Sequence, residues 1–216
     1  MPLLKVWNIG DAGLAAIWKV EEPESFFLKQ TGLLSDITND KRRLEYLASR
    51  FLFKYLIPNF PLHLLQKNEF NKPVLLNNEY NLSISHSLPY IAVSVHKEIS
   101  TGIDIQIWQN NIEKIKHKFL TEHELELVGN KRELLTIAWC AKEAAYKWYG
   151  KKGLSFMNNM PIIHFNIEQE NNIAILFKLD KINQLLSLKC IESPYFACVY
   201  IDLITNVEVE KLNYLI

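Results

Sequence analysis

The chain of 216 residues has few cysteines, no excess charge of either sign and no long hydrophobic stretch. Its three cysteines (Cys140, Cys190 and Cys198) are odd in number and form no CxxC pair, so we expect no disulfide framework and a reducing compartment. Lys+Arg and Asp+Glu number 24 each, so bulk charge gives no support for nucleic-acid binding. Every apolar stretch is far shorter than a bilayer-spanning helix, and no secretory signal is visible. These features predict a cytoplasmic protein without a membrane span.

Composition and element order indicate one folded α+β protein. Hydrophobic residues make up 49% and charged residues 22% of the chain, which is ordinary for a globular protein. No repeat or low-complexity linker is visible. Strand-like and helix-like segments follow one another in a similar order on both sides of residue 100. We therefore predict an N-terminal lobe over 1–99 and a C-terminal lobe over 100–216, the second of which carries a metal site.

Hydrophobic periodicity predicts two long helices. Apolar residues recur at spacings of three and four in Thr38–Leu56, with charged residues between them. A second helix is predicted over Lys131–Tyr149, with Asn130 as its cap and Gly150 as its stop. Thr121–Glu124 has the spacing of a capping box ahead of Leu125 and Leu127, which predicts that a helix begins there.

Alternating and apolar segments predict strands around these helices. In Thr101–Ile107 the isoleucines share one face, so Asp104 and Gln106 share the other. The predicted strands are Leu3–Ile9, Ala12–Val20, Tyr90–His96, Thr101–Ile107, Ile162–Ile167, Ile173–Leu179, Tyr195–Leu203 and Val207–Val209.

Three acidic or basic residues in the predicted C-terminal lobe stand out as candidates for chemistry. Glu143 and Lys147 are four residues apart on the predicted helix, so they share a face; a surface ion pair is the simpler interpretation. Asp104 is either a half-exposed strand residue facing water or a ligand for a hard cation. Because Mg²⁺ prefers carboxylate, phosphate and water oxygens, Asp104 and Glu143 would suit it if strand and helix pack side by side.

Two segments of the first half contain groups that suit an anion. Ser85 and His86 lie in a serine-rich turn before Pro89, and successive donors there would grip a phosphate unless the hydroxyls bond their own backbone. Basic residues cluster on the first helix, where Arg43 and Arg50 share a face. These arginines form either a solvated face or a cradle for phosphate groups.

Taken together, these segments resemble the Sfp-type 4'-phosphopantetheinyl transferases. Each motif alone is common, but their order and spacing over residues 71 to 155 are specific to the family. The motifs in chain order are NKP at Asn71–Pro73, SHS at Ser85–Ser87, GxD at Gly102–Asp104, WxxKEAxxK at Trp139–Lys147, and KGLS at Lys152–Ser155.

The resemblance implies a fold of two pseudo-symmetric lobes, each a small antiparallel sheet packed with helices, with coenzyme A bound between them. It also implies transfer of the phosphopantetheine arm of coenzyme A to a serine of an apo acyl or peptidyl carrier protein, with release of 3',5'-ADP. Magnesium would bridge the pyrophosphate, and the protein would be a monomer that needs neither nucleic acid nor membrane.

The family's functional residues carry over onto matching positions of this sequence. As the resemblance implies, Glu143, Lys147 and Asp104 are the catalytic residues, and Asp104 and Glu143 also hold the metal. Gln106 stands where many members carry an acid; its amide oxygen or a water would complete the metal site, so we expect weaker metal binding but not loss of activity. The implied coenzyme A contacts are Lys72, Pro73, Ser85 and His86, with Arg43 or Arg50 as the upstream arginine.

The resemblance also suggests where the acidic carrier protein docks. Residues 112–132 mix lysines with apolar side chains, among them Phe119 and Leu120. This segment is either a basic and apolar docking surface or a solvated helix face.

Two other functions remain open at the level of sequence. One is a non-catalytic module of the same fold that binds coenzyme A or a carrier protein, which Gln106 favours and the intact Asp104, Glu143 and Lys147 oppose. The other is a metal-dependent hydrolase of nucleotides or pyrophosphates, which would admit water where the serine should lie.

Overall fold

The structure is a computed structural model that describes residues 2–180 and 182–207. Within these residues it has eleven strands and six α-helices. Contacts within the chain divide it into two compact units, Met1–Thr101 and Gly102–Ile216. Each unit contains one antiparallel sheet packed with helices, which confirms the predicted α+β class. The division into an N-terminal lobe over 1–99 and a C-terminal lobe over 100–216 that carries a metal site stays a prediction.

The first unit is built on a six-stranded antiparallel sheet in the order β1-β2-β6-β5-β4-β3. Helix α2 packs against β2 and β6, and α1 packs against α2. The elements are β1 (Leu3–Ile9), β2 (Gly13–Lys19), α1 (Glu24–Thr31), α2 (Asp40–Leu56), β3 (Leu65–Lys67), β4 (Pro73–Leu75), β5 (Asn81–Ser87) and β6 (Tyr90–His96).

Helix α2 begins and packs for reasons that are local to its sequence. The side chain of Asn39 accepts a hydrogen bond from the Arg42 amide and caps the first turn. Its apolar face, which includes Leu47, Leu52 and Phe53, is fully buried in the core of this unit. The opposite side of the helix is free to carry the charged residues of the functional site.

The second unit is built on a five-stranded antiparallel sheet in the order β7-β11-β10-β9-β8. The long helix α5 crosses it and packs against β7 and β11. The elements are β7 (Ile103–Ile107), α3 (Ile112–Ile115), α4 (Glu122–Val128), α5 (Arg132–Tyr149), α6 (Phe156–Asn159), β8 (Ile162–Asn166), β9 (Asn172–Leu179), β10 (Ile182–Glu192) and β11 (Phe196–Asn206).

Helix α5 lies unusually close to the start of β7. A side chain at Gly102 would collide with the carbonyl oxygen of Ala144, so only glycine permits this approach. The helix ends at Gly150, which adopts a left-handed conformation (φ 70°) as predicted. Its N-cap is Lys131, not the predicted Asn130, whose amide oxygen instead accepts from Lys116.

The structure confirms most of the predicted elements and corrects others. The capping box at Thr121–Glu124 is present, and the predicted strands through Tyr195–Leu203 all form with small shifts of their ends. The serine-rich segment Ser83–Ser87 was predicted as a turn, which is wrong, because it forms most of β5. Helix α1 and strand β10 were missed, and all but the first residue of Val207–Val209 lies outside the described residues.

Candidate functional site

Asp104 is the centre of a charged cluster in the second unit. It lies on β7 and is only 2% exposed, so the interpretation as a strand residue facing water is wrong. The Nζ atom of Lys147, on α5, lies 2.6 Å from Asp104 Oδ1. A buried carboxylate requires such a partner, because an uncompensated charge inside a protein is costly.

Glu143 adds a second carboxylate to this cluster. It lies one helical turn before Lys147. Burial, and to a smaller extent the negative charge of Asp104, raise the pKa of Glu143, and Lys147 partly offsets them; the net result is a pKa of about 7. Because Lys147 pairs with Asp104, the interpretation of Glu143 and Lys147 as a simple surface ion pair is wrong. Lys147 therefore lies within electrostatic reach of both carboxylates.

This donor set fits a hard divalent cation. In the described part of the chain, no group of three or more His, Cys, Asp or Glu side chains is arranged to hold a metal ion. Mg²⁺, however, is commonly bound through one or two carboxylates, with water and substrate phosphates as its remaining ligands. Asp104 and Glu143 supply those carboxylates, so the residues fit a Mg²⁺ that a phosphorylated substrate completes.

Gln106 contacts Asp104 as a hydrogen-bond donor. Its Nε2 lies 3.2 Å from Asp104 Oδ2, while its Oε1 accepts from Gln109 Nε2 at 2.9 Å. An ionised carboxylate only accepts hydrogen bonds, so Gln106 must turn its NH₂ group toward Asp104. To ligate a metal through its oxygen, Gln106 would have to rotate and give up both contacts.

A second candidate site is a groove of about 500 Å³ in the first unit. It lies beside α2 and includes side chains from β3, β4 and β5. Three of its lining residues, Arg42, Arg50 and Lys67, are cationic. The lining residues are Ile37, Arg42, Glu45, Tyr46, Ser49, Arg50, Lys67, Asn71, Pro73, Ile84 and His86. A concave surface with convergent polar groups is the usual form of a ligand site.

Arg50 is the most informative residue of the groove, because its guanidinium is buried without a carboxylate. It is 7% exposed, donates to Ser49 Oγ (3.0 Å) and lies over the Tyr46 ring at 3.9 Å. Burial lowers the pKa of Arg50. No acidic side chain forms an ion pair with it among the described residues. A desolvated guanidinium of this kind is suited to bind an anion.

Arg43, the alternative upstream arginine, is engaged elsewhere. Its guanidinium contacts Glu24 Oε1 (2.8 Å), Asp40 Oδ1 (2.7 Å) and the Ile37 carbonyl oxygen (2.8 Å). It does not line the groove, whereas Arg42 does. Sequence reasoning singled out Arg43 and missed Arg42, because adjacent helical positions differ by about 100° in direction and the sequence does not show which one meets the sheet.

The NKP segment forms a tight turn that fixes Lys72 and Pro73. Asn71 adopts a left-handed conformation (φ 67°), and the side chain of Asn68 accepts from the Lys72 amide. Lys72 Nζ donates to Ser100 Oγ at 2.8 Å, and burial lowers the pKa of Lys72 to about 8. Pro73 begins β4 and lines the groove.

Ser85 and His86 lie on opposite faces of β5. Ser85 is 3% exposed and lies outside the groove lining, whereas the side chain of His86 is 50% exposed and lines the groove. Side chains alternate along a strand, so the predicted run of successive donors does not form. Only His86 of this pair faces the groove.

Lys142, inside the WxxKEAxxK motif, is a structural residue whose ammonium group binds to other parts of the protein. It is fully buried, and its ammonium group donates to Glu124 and to the carbonyl oxygens of Phe156 (2.9 Å) and Met160 (2.6 Å). Glu124 also accepts from the Ile162 amide at 2.7 Å. These contacts join α4, α5 and β8, and they hold α5 in the orientation that presents Glu143 and Lys147.

A part-buried cluster of two carboxylates and a lysine, suited to a cation and a phosphorylated substrate, is the kind of centre that phosphoryl-transfer enzymes use. Residues 100–198, which contain this cluster, match the sequence profile of the 4'-phosphopantetheinyl transferase superfamily. The matched segment covers just under half of the chain and contains Asp104, Glu143 and Lys147. The comparison with curated proteins found no match. The match confirms the resemblance at the level of the superfamily, and the Sfp-type subfamily stays a prediction.

No helix in the described ranges is long and apolar enough to cross a bilayer.

Proposed function

We propose that this protein transfers the 4'-phosphopantetheine group of coenzyme A to a serine hydroxyl of an apo acyl or peptidyl carrier protein and releases 3',5'-ADP. Such carriers serve fatty acid, polyketide and nonribosomal peptide synthesis. The observation that carries the proposal is the part-buried cluster of Asp104, Glu143 and Lys147 inside the domain that matches the superfamily.

The chemistry requires a serine hydroxyl to become a nucleophile. Its oxygen forms a bond to the phosphorus next to the pantetheine arm, and the bond from that phosphorus to the bridging oxygen of the pyrophosphate breaks. The electron pair leaves with 3',5'-ADP. Glu143 is the proposed general base that receives the serine proton, since a positioned carboxylate supplies this function in many transferases.

The remaining residues of the cluster balance charge on the pyrophosphate. Mg²⁺, when bound by Asp104 and Glu143, would neutralise the phosphate oxygens and align them for attack. Lys147 holds Asp104 through its ion pair and provides positive charge near the leaving group. Gln106 donates to the other oxygen of Asp104, so both oxygens of this carboxylate are oriented before substrate binds.

The groove of the first unit is the proposed site for a phosphate group of coenzyme A. Arg50 and Arg42 supply guanidinium groups, and His86 supplies an imidazole that is half exposed. Lys72, held by the NKP turn, and Pro73 are proposed as further contacts. Ser85 stays a predicted contact of coenzyme A but does not belong to the groove lining.

Carrier docking is proposed on the lysines of the 112–132 segment alone. Phe119 is fully buried and Leu120 is 2% exposed, so these residues belong to the core and cannot form an apolar docking surface. Lys114 and Lys118 are exposed, so they remain available to an acidic partner. We further propose a monomer that acts in the cytoplasm, where the three free cysteines would stay reduced.

Intact-mass spectrometry of an apo carrier protein, incubated with this protein, coenzyme A and Mg²⁺, tests the proposal. We expect the carrier to gain one phosphopantetheine and the gain to stop on chelation. Glu143→Gln should lower the transfer rate by at least about 10³-fold with little change in coenzyme A affinity. Glu133→Gln, a change at a partly exposed position of the same helix, is the matched control and should transfer normally.

The same experiment separates the two alternatives. A non-catalytic binding module, which the amide of Gln106 favours, would bind coenzyme A without modifying any carrier. A hydrolase would release 3',5'-ADP and free 4'-phosphopantetheine in the absence of carrier. Transfer by the Glu143→Gln variant at the wild-type rate would overturn the role of Glu143.

A further inference from the structure

Glu45 is an acidic residue inside a groove that is otherwise cationic. It lies on α2 and is 7% exposed. Its Oε1 lies 3.3 Å from Nδ1 of His86, which reaches the groove from β5. The mechanism proposed above gives this carboxylate no role.

The surrounding charges make the position of Glu45 unexpected. The other charged side chains that line the groove are Arg42 and Arg50 from α2 and Lys67 from β3. None of the ion pairs of the described residues joins Glu45 to these three; its partner at ion-pair distance is His86. A carboxylate in an anion site repels the ligand, so Glu45 acts against binding unless it organises a group that favours binding.

We propose that Glu45 is a positioning residue that holds the imidazole of His86 for a phosphate group of coenzyme A. The proposal rests on the proposed function, which supplies the phosphate ligand.

A carboxylate oxygen 3.3 Å from Nδ1 favours the ring tautomer that carries a proton on Nδ1, and it would restrict rotation of the side chain. The opposite ring edge, which carries Nε2, is then presented for contact with an anion. This is the same logic by which a carboxylate orients a histidine in metal and catalytic sites.

Burial of Glu45 supports this arrangement. A carboxylate that is largely removed from water needs a partner that donates a hydrogen bond or carries positive charge. His86 meets this need from a strand, and the half-exposed imidazole still reaches solvent and ligand. Glu45 belongs to a helix whose other face is buried in the core, so the backbone that carries this carboxylate is held by core packing.

The test is calorimetric binding of 3',5'-ADP and of coenzyme A to the full-length protein. If Glu45 positions His86, Glu45→Gln should weaken binding of both ligands by about 5- to 10-fold, although it removes a negative charge from an anion site. In the carrier assay KM for coenzyme A should rise by the same factor and kcat should stay unchanged. Glu69→Gln, an exposed carboxamide substitution on the turn between β3 and β4, is the control and should change nothing.

A double-mutant cycle with His86→Ala distinguishes positioning from general stabilisation. The effect of Glu45→Gln should disappear when His86 is absent, because the carboxylate then has no ring to hold. An equal loss in both backgrounds, unchanged affinity or tighter binding by Glu45→Gln would overturn the role of Glu45. If the wild-type protein binds neither ligand, the proposed function fails first and the role of Glu45 fails with it.

Discussion

The two candidate sites both bury charge, but with opposite balance. The groove of the first unit holds Arg50 almost fully desolvated with neutral partners, the Ser49 hydroxyl and the Tyr46 carbonyl and ring. The cluster of the second unit instead holds Asp104 and Glu143 against a single ammonium group. Among the described residues Arg50 has no ion pair with a carboxylate, whereas two carboxylates lie together in the second unit, so a phosphorylated substrate and Mg²⁺ would bring the matching charges.

A comparison of two buried cations, Arg50 and Lys142, shows the difference between binding and structure. Lys142 has a carboxylate and two carbonyl oxygens as partners, so its charge is compensated within the fold. Arg50 has no such carboxylate. Removal of a buried cation that pairs with a carboxylate destabilises the protein, because the carboxylate is left without its partner. A buried cation without a carboxylate lowers stability, but it is available to bind an anionic ligand.

The largest effect is expected on stability at Lys142. Lys142→Met leaves Glu124 buried without its partner and should lower the free energy of unfolding by about 3–5 kcal/mol. Urea unfolding followed by tryptophan fluorescence measures this change. The double variant with Glu124→Gln removes the stranded charge and should recover part of the loss; a loss below about 1 kcal/mol for Lys142→Met would contradict the structural role.

Arg50→Met should show the opposite profile. Binding of 3',5'-ADP should fall by at least about tenfold, because charge-assisted hydrogen bonds to phosphate are lost. The free energy of unfolding should change by less than about 1 kcal/mol, since no buried carboxylate is left behind. Arg43→Met, which breaks ion pairs outside the groove, is the control, and a loss of affinity in that variant would show that the wrong arginine was chosen.

Gln106→Glu tests whether the cluster of Asp104 and Glu143 binds Mg²⁺. A third carboxylate adds negative charge, so half-maximal transfer should need roughly 3- to 10-fold less Mg²⁺. The rate at saturating Mg²⁺ should stay near that of the wild type. Titration of the transfer rate with Mg²⁺ measures both values, and an unchanged Mg²⁺ requirement would show that this position lies outside the reach of the metal.

The smallest expected effect is a pH dependence at Lys72. Burial lowers its pKa to about 8, and a lysine is charged below its pKa. Affinity for 3',5'-ADP should therefore fall a few-fold as the pH rises through and above 8. A bound anion favours the charged form of Lys72, so in the complex the loss of charge should occur at a higher pH. Lys72→Arg keeps its charge over this range and should abolish the fall. If the wild type and Lys72→Arg show the same pH dependence of affinity, Lys72 does not contact the ligand.

Local patterns in the sequence identify many elements because those elements depend on neighbouring residues. The capping box at Thr121–Glu124 and the stop at Gly150 follow from backbone hydrogen bonding within one or two turns. Asp104 and Gln106 share a face because strand side chains alternate, and their contact at 3.2 Å bears this out.

Elements that depend on distant partners were missed or misjudged. Helix α1 is only eight residues long. The alternation of β10 is broken at Asn183–Gln184 and Leu185–Leu186, so it is the pairing with β9 and β11 that makes this segment a strand. The serine-rich segment was taken as a turn because serine and proline are common in turns, but pairing with β6 extends it into β5. Long-range pairing overrides such local preferences.

The sequence by itself determined the α+β class, the order of the motifs and the residues that bear charge. Only the tertiary structure decided that Lys147 pairs with Asp104 and not with Glu143, that Arg42 and Arg50 reach the groove while Arg43 does not, and that Phe119 belongs to the core. The physical reason is that residue type and spacing fix which groups a segment offers. The direction in which each group points, and the partner it meets, depend on elements that are far apart in the chain.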